Sequence, residues 1–150
     1  VIRACAEETE ARAETWINDQ IIDAYCKLHA LGHVHSVECW QDDTLVGGLY
    51  GVAIGGVFCG ESMFSHQTDT SKVALVHLAA RLHHAGYDIL DTQFTNSHLE
   101  QFGVYEIAHK EYVALLEPAL HKECVFDFTD VSERDLITAY FDMQDHSNKS

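Results

Sequence analysis

The chain has 150 residues, 47% of them hydrophobic, and its formal net charge is −15 because 24 acidic residues outnumber 9 basic ones. This length suits one folded domain over residues 1–150, and no window has the ~18 consecutive apolar residues of a membrane span or the pattern of a signal peptide. The negative charge disfavours nucleic-acid binding by the chain alone, and it either keeps the protein soluble or attracts a basic peptide.

The N-terminal half of the chain predicts helices followed by a three-strand meander. Residues 1–14 are polar and rich in Ala and Glu, which favours a short helix. Apolar residues then recur at helical spacing from Ile17 to Leu31, with Thr15 or Asn18 as the cap and Gly32 as the stop. The next patterns predict three strands and two turns, namely strands at His33–Trp40, Thr44–Ile54 and Val57–Ser65, a turn at 41–43, and a tight hairpin turn at Gly55-Gly56.

The remaining sequence predicts four helices and two strands. A loop at 66–70, ending in Asp69 or Thr70 as a cap, precedes a helix to about His84 that Gly86 stops. The later elements are a strand at Tyr87–Phe94, a short helix at Asn96–Phe102 closed by Gly103, a brief strand near Val104–Ile107, a helix from about Lys110 to Leu116 broken by Pro118, a helix that opens at Ser132-x-x-Asp135 and passes Tyr140, and a polar tail at 145–150. This order is typical of an α/β fold with a mixed, mostly antiparallel sheet flanked by helices.

Cysteine and histidine usage bears on location and on metal binding. The five cysteines are odd in number and scattered, which favours reduced thiols and a cytoplasmic protein, while a secreted protein with one unpaired cysteine stays open. The eleven histidines include His33-x-His35 and His83-His84, but no Cys, Asp or Glu lies at a typical third-ligand spacing. We therefore expect neither a metal nor another cofactor.

Two segments carry the strongest functional signal: Phe58-Cys59-Gly60-Glu61-Ser62-Met63-Phe64-Ser65 on the third strand, and Asp91-Thr92-Gln93-Phe94 on the fourth. Further pieces keep one register with them from about Thr15 to Ile107, among them Thr15-Trp16-Ile17, Leu31-Gly32-His33, Leu45-Val46-Gly47-Gly48, Ser71-Lys72 and Glu106-Ile107. Together they resemble the leucyl/phenylalanyl-tRNA-protein transferase family. The resemblance implies a GNAT-like acyltransferase fold and transfer of Leu, Phe or Met from the 3′ end of aminoacyl-tRNA to proteins that begin with Arg or Lys, which marks those proteins for degradation.

The resemblance implies that Asp91 and Gln93 are the catalytic pair. Residues i and i+2 of a strand share a face, so Gln93 is expected to accept a hydrogen bond from the attacking amine while Asp91 supplies negative charge. The alternative is structural: two polar residues at the end of a strand satisfy each other or cap the next helix.

Ten further residues are candidates for substrate binding. Glu61 lies among apolar neighbours and needs a partner, either the amino group of the carried Leu or Phe, as the resemblance implies, or a local Arg, His or backbone amide. Trp16 matches a family aromatic that flanks the terminal adenosine of the tRNA, and its alternative is an anchor for the first long helix. The resemblance adds Leu49, Phe58, Gly60, Ser62, Met63, Leu78, Leu90 and Asn96, of which the apolar members are candidates for the donor pocket or plain core.

The chain departs from the family pattern at two places. Ile107-Ala108-His109-Lys110 occupies the position of the family's Ile-Pro-Arg-Arg. Leu78 replaces an aromatic residue of the family's donor pocket, so a preference for Leu or Phe does not carry over to this chain. The family's preceding basic domain is not seen before Val1, so we expect a fragment, a processed product or a shortened relative.

Two other functions remain open. The first is a non-catalytic remnant that binds peptides starting with Arg or Lys, favoured by the net charge and the missing basic region. The second is an acyl-CoA N-acyltransferase. It would need a glycine-rich turn before the second long helix, and residues 65–70 contain no glycine and include an acid.

Overall fold

The computed structural model describes residues 1–8 and 14–147. Helices and strands follow one another in these residues as α1 Ile2–Cys5, α2 Asp19–Ala30, β1 Val34–Gln41, β2 Thr44–Ile54, β3 Val57–Ser65, α3 Thr70–His84, β4 Ile89–Asp91, α4 Ser97–Glu100, α5 His109–Leu120 and α6 Glu133–Ser147. The strands form one sheet in the order β1-β2-β3-β4, in which β1 is antiparallel to β2 and β3 is parallel to β4. The predicted α/β fold with a mixed sheet flanked by helices is confirmed. No helix within the described ranges is long and apolar enough to cross a membrane.

The chain divides into two compact units, which are described separately. The first unit comprises Val1–Val52 and Glu61–Ala79, and the second comprises Ala53–Gly60 and Ala80–Ser150. Strand β3 therefore gives its first half to the second unit and its second half to the first. That the chain acts as one domain stays a prediction.

In the first unit, helix α2 packs on strand β1 over an apolar cluster. The Asn18 side chain accepts a hydrogen bond from the Ile21 amide at 3.0 Å, so the predicted cap is confirmed, and Gly32 at φ +82° follows the helix end. The cluster is formed by six buried side chains, Cys5, Ile17, Ile22, Val34, Tyr50 and Phe64. Local capping and helical periodicity are thus enough to place α2.

Two short polar contacts fix the start of helix α3 in the same unit. The Ser71 amide donates to Ser65 Oγ at 2.9 Å, so the last residue of β3 caps the first turn of α3. Thr70 Oγ1 donates to the Val46 carbonyl at 2.9 Å, and a Cβ on Gly47 would overlap that threonine side chain. The Gly47 position therefore admits the close approach of Thr70 to strand β2.

In the second unit, the turn between β2 and β3 lies against the end of helix α5. Gly55 has φ +57°, and a Cβ there would lie 2.6 Å from the Leu120 carbonyl oxygen. The Gly56 amide donates to the Ala119 carbonyl at 2.7 Å. The predicted hairpin turn is confirmed, and glycine is needed at Gly55 both for its backbone conformation and for the close approach of the helix.

Three sequence predictions in this unit are wrong. Strand β4 covers only Ile89–Asp91 instead of 87–94, because Gln93 takes a left-handed conformation at φ +66° and turns the chain. Residues 104–107 form no strand. Helix α5 continues through Pro118, and the carbonyl that loses its helical partner belongs to the exposed Ala114, where water can replace the lost donor.

The C-terminal helix begins as predicted and ends later than predicted. Ser132 Oγ accepts from the Asp135 amide at 3.2 Å, so Ser132 is confirmed as the cap, while the Asp135 carboxylate accepts from the Ser132 hydroxyl at 2.7 Å. Helix α6 then runs to Ser147, so residues 145–147 are helical and the prediction of a tail there is wrong. Residues 148–150, and residues 9–13 of the predicted N-terminal segment, lie outside the described residues.

Candidate active site

Strand β4 places Asp91 beside strand β3 in the second unit. β4 pairs in parallel with β3, with Phe58 opposite Leu90 and Cys59 opposite Asp91. The Asp91 carboxylate uses both oxygens, because Oδ1 accepts from the Gln93 amide at 2.7 Å and Oδ2 accepts from the Tyr112 hydroxyl at 2.6 Å. Hydrogen bonds to a charged acceptor are short and about twice as strong as neutral ones. Asp91 is therefore a fixed negative charge with two donors already aimed at it.

Gln93 is exposed, and its side chain is held at one end. Its Nε2 donates to the Gly60 carbonyl at 2.9 Å. This contact assigns the orientation of the side-chain amide, because a backbone carbonyl accepts a hydrogen bond from the amide nitrogen and not from the amide oxygen. Gln93 Oε1 accepts no hydrogen bond from the described residues. The side chain thus presents a carbonyl acceptor whose direction is set by strand β3. The expectation that Gln93 lies on a strand with Asp91 is wrong, and the two residues are joined instead through the Gln93 backbone amide.

Tyr112 on helix α5 completes this hydrogen-bonded group in the second unit. Its hydrogen bond to Asp91 and its partial burial raise the pKa of the phenol to about 12, so the hydroxyl stays protonated and donating at neutral pH. The order of contacts is Tyr112, Asp91, Gln93 and Gly60, with three hydrogen bonds between 2.6 and 2.9 Å. We call these four residues the Asp91 network.

In the first unit, Glu61 lies half-buried on strand β3 near a buried tyrosine. Tyr50 on β2 is 2% exposed, and its hydroxyl finds no hydrogen-bond partner among the described residues. Burial is the main cause that raises the pKa of Tyr50, and the Glu61 charge adds to it, as do Cys5 and Tyr25. The Tyr25 ring meets the Tyr50 ring edge-on at 5.4 Å. A carboxylate and an unsatisfied phenol hydroxyl therefore belong to one polar neighbourhood in an apolar wall.

The other predicted binding residues of the first unit differ in exposure. Trp16, just before helix α2, is 53% exposed, so much of the residue is open to solvent. Leu49 on β2 and Leu78 on α3 are buried, and Ser62 and Met63 on β3 are half-buried. Leu49 and Leu78 are thus closed to solvent, and their part in a donor pocket stays a prediction.

The predicted binding residues of the second unit are mostly engaged in structure. Phe58 is fully buried and stacks on Phe126 with ring centroids 5.5 Å apart. Leu90 is half-buried on β4. The Asn96 side chain accepts from the Leu99 amide at 2.9 Å and so caps helix α4. Gly60 contributes its carbonyl to the Asp91 network, and a Cβ there would make only an ordinary contact of 3.6 Å with the Asp91 carbonyl oxygen.

Two alternatives depend on other ligands, namely a metal ion and an acyl-CoA. The His35 ring nitrogen contacts the Gly32 carbonyl at 3.1 Å inside the first unit, a structural contact. In the part of the chain that is described, no three His, Cys, Asp or Glu side chains group as metal ligands. An acyl-CoA site would use free amides at the start of α3, and the Ser71 amide is already bonded to Ser65. The structure thus gives no support to either ligand.

Sequence reasoning missed two tyrosines of these neighbourhoods. Tyr112, Leu116 and Ala119 recur at helical spacing on one face of α5, and a tyrosine on such a face needs a partner for its hydroxyl. That signal calls for a buried acceptor, although it does not name Asp91. Tyr50 stands in an apolar strand and gave no signal beyond β propensity.

Comparison with known proteins identifies the family. The profile of the leucyl/phenylalanyl-tRNA protein transferase family matches residues 1–117. Two similar proteins are named leucyl/phenylalanyl-tRNA–protein transferase. The one from Paramagnetospirillum magneticum is 58% identical over 85% of this chain and 61% of its own length. The one from Hyphomonas neptunium is 58% identical over 80% of this chain and 46% of its own length. A third, from Maricaulis maris, is 55% identical over 84% of this chain and 58% of its own length. The chain spans about half to three fifths of the length of these relatives, and it belongs to the leucyl/phenylalanyl-tRNA protein transferase family.

Proposed function

We propose that the chain is the chemical part of an aminoacyltransferase that moves Leu, Phe or Met from aminoacyl-tRNA to the α-amine of proteins beginning with Arg or Lys, and so marks them for degradation. The observation that carries the proposal is the exposed Gln93 side chain, whose amide nitrogen is held by Gly60 while its carbonyl oxygen accepts no hydrogen bond from the described residues. Family membership supports the donor and the reaction class. A cytoplasmic location belongs to the same proposal, because the scattered cysteines favour a reducing compartment.

The reaction is attack of a neutral amine on an aminoacyl ester. A new C–N amide bond forms, the ester C–O bond breaks, and the terminal ribose oxygen of the tRNA leaves. The amine carries positive charge as it attacks, and its proton must pass to an acceptor and finally to the leaving oxygen or to water. No covalent intermediate on the protein is required, so catalysis rests on position, proton acceptance and charge.

The Asp91 network suits the acceptor half of this reaction. A side-chain carbonyl accepts a hydrogen bond from the incoming amine and orients its lone pair, which is the role we assign to Gln93. Asp91 has both oxygens occupied, so it acts through its charge and through the conformation it imposes on Gln93. A fixed negative charge stabilises the cationic amine as the bond forms.

Residues of the first unit suit the donor half. Glu61 is the neighbour of Gly60 in strand β3, and a half-buried carboxylate there can pair with the amino group of the carried amino acid. Exposed Trp16 can stack on the terminal adenine, a contact worth about 1–3 kcal/mol. The apolar candidates Leu49, Met63 and Leu78 would accept an unbranched or γ-branched side chain, while the choice between Leu and Phe is not assigned.

The first experiment tests transfer with a donor that does not need a tRNA-binding surface. The chain is mixed with an adenosine ester of labelled phenylalanine, or with charged tRNA, and with a peptide that starts with Arg. We expect a labelled Phe-Arg peptide, and no product from a matched peptide whose N-terminus is acetylated. Peptides that start with Lys or Ala then test the acceptor class, with the Lys peptide expected to react and the Ala peptide expected to fail.

Variants separate catalysis from binding in the same assay. Gln93→Ala and Asp91→Ala are expected to lose transfer, and Gln101→Ala is the matched control because its side chain also donates to a backbone carbonyl, that of His98, at 2.7 Å. Unchanged transfer by both site variants would reject the mechanism. Peptide binding without transfer from either donor would instead support the non-catalytic alternative.

A further inference from the structure

Tyr112 joins helix α5 to the candidate site by a side-chain hydrogen bond. Helix α5 is already fixed near its end, where Ala119 is fully buried and its carbonyl accepts from the Gly56 amide at 2.7 Å. Tyr112 lies almost two turns earlier and is only partly buried. Its hydroxyl donates to Asp91 Oδ2 at 2.6 Å, where α5 packs on strand β4. The contact therefore connects the face of α5 that meets β4 to the carboxylate of the candidate site.

The carboxylate in turn holds a backbone conformation that is unfavourable by itself. Gln93 has φ +66°, a region that residues with a side chain seldom occupy unless neighbours hold them there. The Gln93 amide donates to Asp91 Oδ1 at 2.7 Å, and this bond requires the Asp91 carboxylate to be oriented toward the turn. A carboxylate with only one partner can rotate about χ2, and the Tyr112 hydroxyl supplies the second partner that prevents this rotation.

We propose that Tyr112 is a positioning residue of the transferase reaction, whose hydroxyl locks the Asp91 carboxylate so that Asp91 fixes the Gln93 turn and aims the Gln93 carbonyl at the acceptor amine. The inference rests on the proposed function. Tyr112 touches no substrate in this account. Its effect passes through Asp91 and Gln93 and therefore falls on the rate of the chemical step and not on binding.

The test compares Tyr112→Phe with Tyr105→Phe, a control because Tyr105 is 76% exposed and outside the Asp91 network. In steady-state transfer from the adenosine ester to the Arg peptide, Tyr112→Phe is expected to lower kcat about tenfold and to leave KM for the peptide within about twofold. In an Asp91→Ala background the same substitution is expected to change kcat by less than about twofold, because the network is already broken. An equal effect in both backgrounds overturns the proposal, as does an unchanged kcat.

A second measurement does not depend on activity. The amide proton of Gln93 is followed by NMR in each protein, with urea unfolding as the check that the variants fold. Tyr112→Phe is expected to shift this resonance upfield and to speed its exchange with solvent about tenfold, while Tyr105→Phe leaves it in place. If the resonance moves but the parent chain transfers nothing, the proposed function fails and the positioning by Tyr112 stands. A Gln93 amide that is unchanged in Tyr112→Phe overturns the positioning itself.

Discussion

Replacing Asp91 by alanine and by asparagine separates its hydrogen bonds from its charge. The carboxylate accepts from the Gln93 amide at 2.7 Å and from the Tyr112 hydroxyl at 2.6 Å. Alanine removes both bonds. Asparagine can keep both, since its Oδ1 accepts from the Gln93 amide and its Nδ2 donates to the Tyr112 oxygen, a hydroxyl being able to accept as well as donate. Only the charge is lost in the second case.

The magnitudes follow from these contacts. A hydrogen bond to a charged group contributes about 1.5–3 kcal/mol, and the exposed Gln93 amide regains part of its loss from water, so Asp91→Ala is expected to lower the free energy of unfolding by about 2–4 kcal/mol. Asp91→Asn exchanges charged for neutral bonds and is expected to cost about 1 kcal/mol. For transfer, we expect kcat to fall about 100-fold in the alanine variant and about tenfold in the asparagine variant.

Urea unfolding and steady-state transfer of the three proteins check both scales. Asp130→Asn is the matched control, because Asp130 is exposed and lies outside the network, and its effect should stay within about 0.5 kcal/mol. A fully active Asp91→Asn would refute the role of the charge. A kcat for Asp91→Asn as low as that of Asp91→Ala would refute the role of the hydrogen bonds, and an alanine variant as stable as the parent would remove the structural basis for both.

Three further predictions concern stability. Tyr50→Phe is expected to raise the free energy of unfolding by about 1 kcal/mol, because it removes a buried hydroxyl that has no partner among the described residues; a loss of stability in a urea titration would contradict this. Gly55→Ala is expected to lower the free energy of unfolding more than Gly86→Ala. Both glycines have a positive φ, which costs an alanine about 1–2 kcal/mol, but only at Gly55 would the added Cβ also lie 2.6 Å from the Leu120 carbonyl oxygen. Equal losses in thermal unfolding would show that the turn can move. The pKa of Tyr112 is raised to about 12 from 10, so its contribution to stability is complete below pH 10 and is lost as the pH rises through about 12. Between these two pH values, the free energy of unfolding of Tyr112→Phe should depend less on pH than that of the parent chain. An identical pH dependence in the two proteins would contradict the assignment.

Local chemistry determined most of what the sequence could predict. Strands β2 and β3 have the predicted bounds because their turn residues, Gly55 and Gly56, mark the hairpin, and the caps at Asn18 and Ser132 are side-chain contacts within three residues. The motif residues on β3 were placed correctly for the same reason. Local signals of this kind are strong because nothing distant competes with them.

Distant contacts explain the errors. Nothing in the composition of 87–94 reveals that Gln93 takes a left-handed turn, which is held by Asp91 and by the Gly60 carbonyl 33 residues away. The partner of Asp91 is Tyr112, 21 residues further along the chain. Pro118 predicts a break in α5, yet the helix runs through it to Leu120, with the lost carbonyl partner at the exposed Ala114. That Asp91 and Gln93 are the catalytic pair stays a prediction, and their geometry combines one local bond, from the Gln93 amide to Asp91, with distant contacts from Gly60 and Tyr112 that no local pattern connects.

The rate of transfer by Gln93→Ala tests the central claim most directly. It is measured under single-turnover conditions, with the adenosine ester of phenylalanine and a peptide starting with Arg, beside the parent chain and Gln101→Ala. If the Gln93 carbonyl, held through Nε2 by Gly60, accepts the hydrogen bond of the attacking amine, the rate should fall about 100-fold while Gln101→Ala keeps the parent rate. A Gln93→Ala rate within about threefold of the parent would contradict the claim, because a hydrogen bond made to the reacting amine contributes more than that to the barrier.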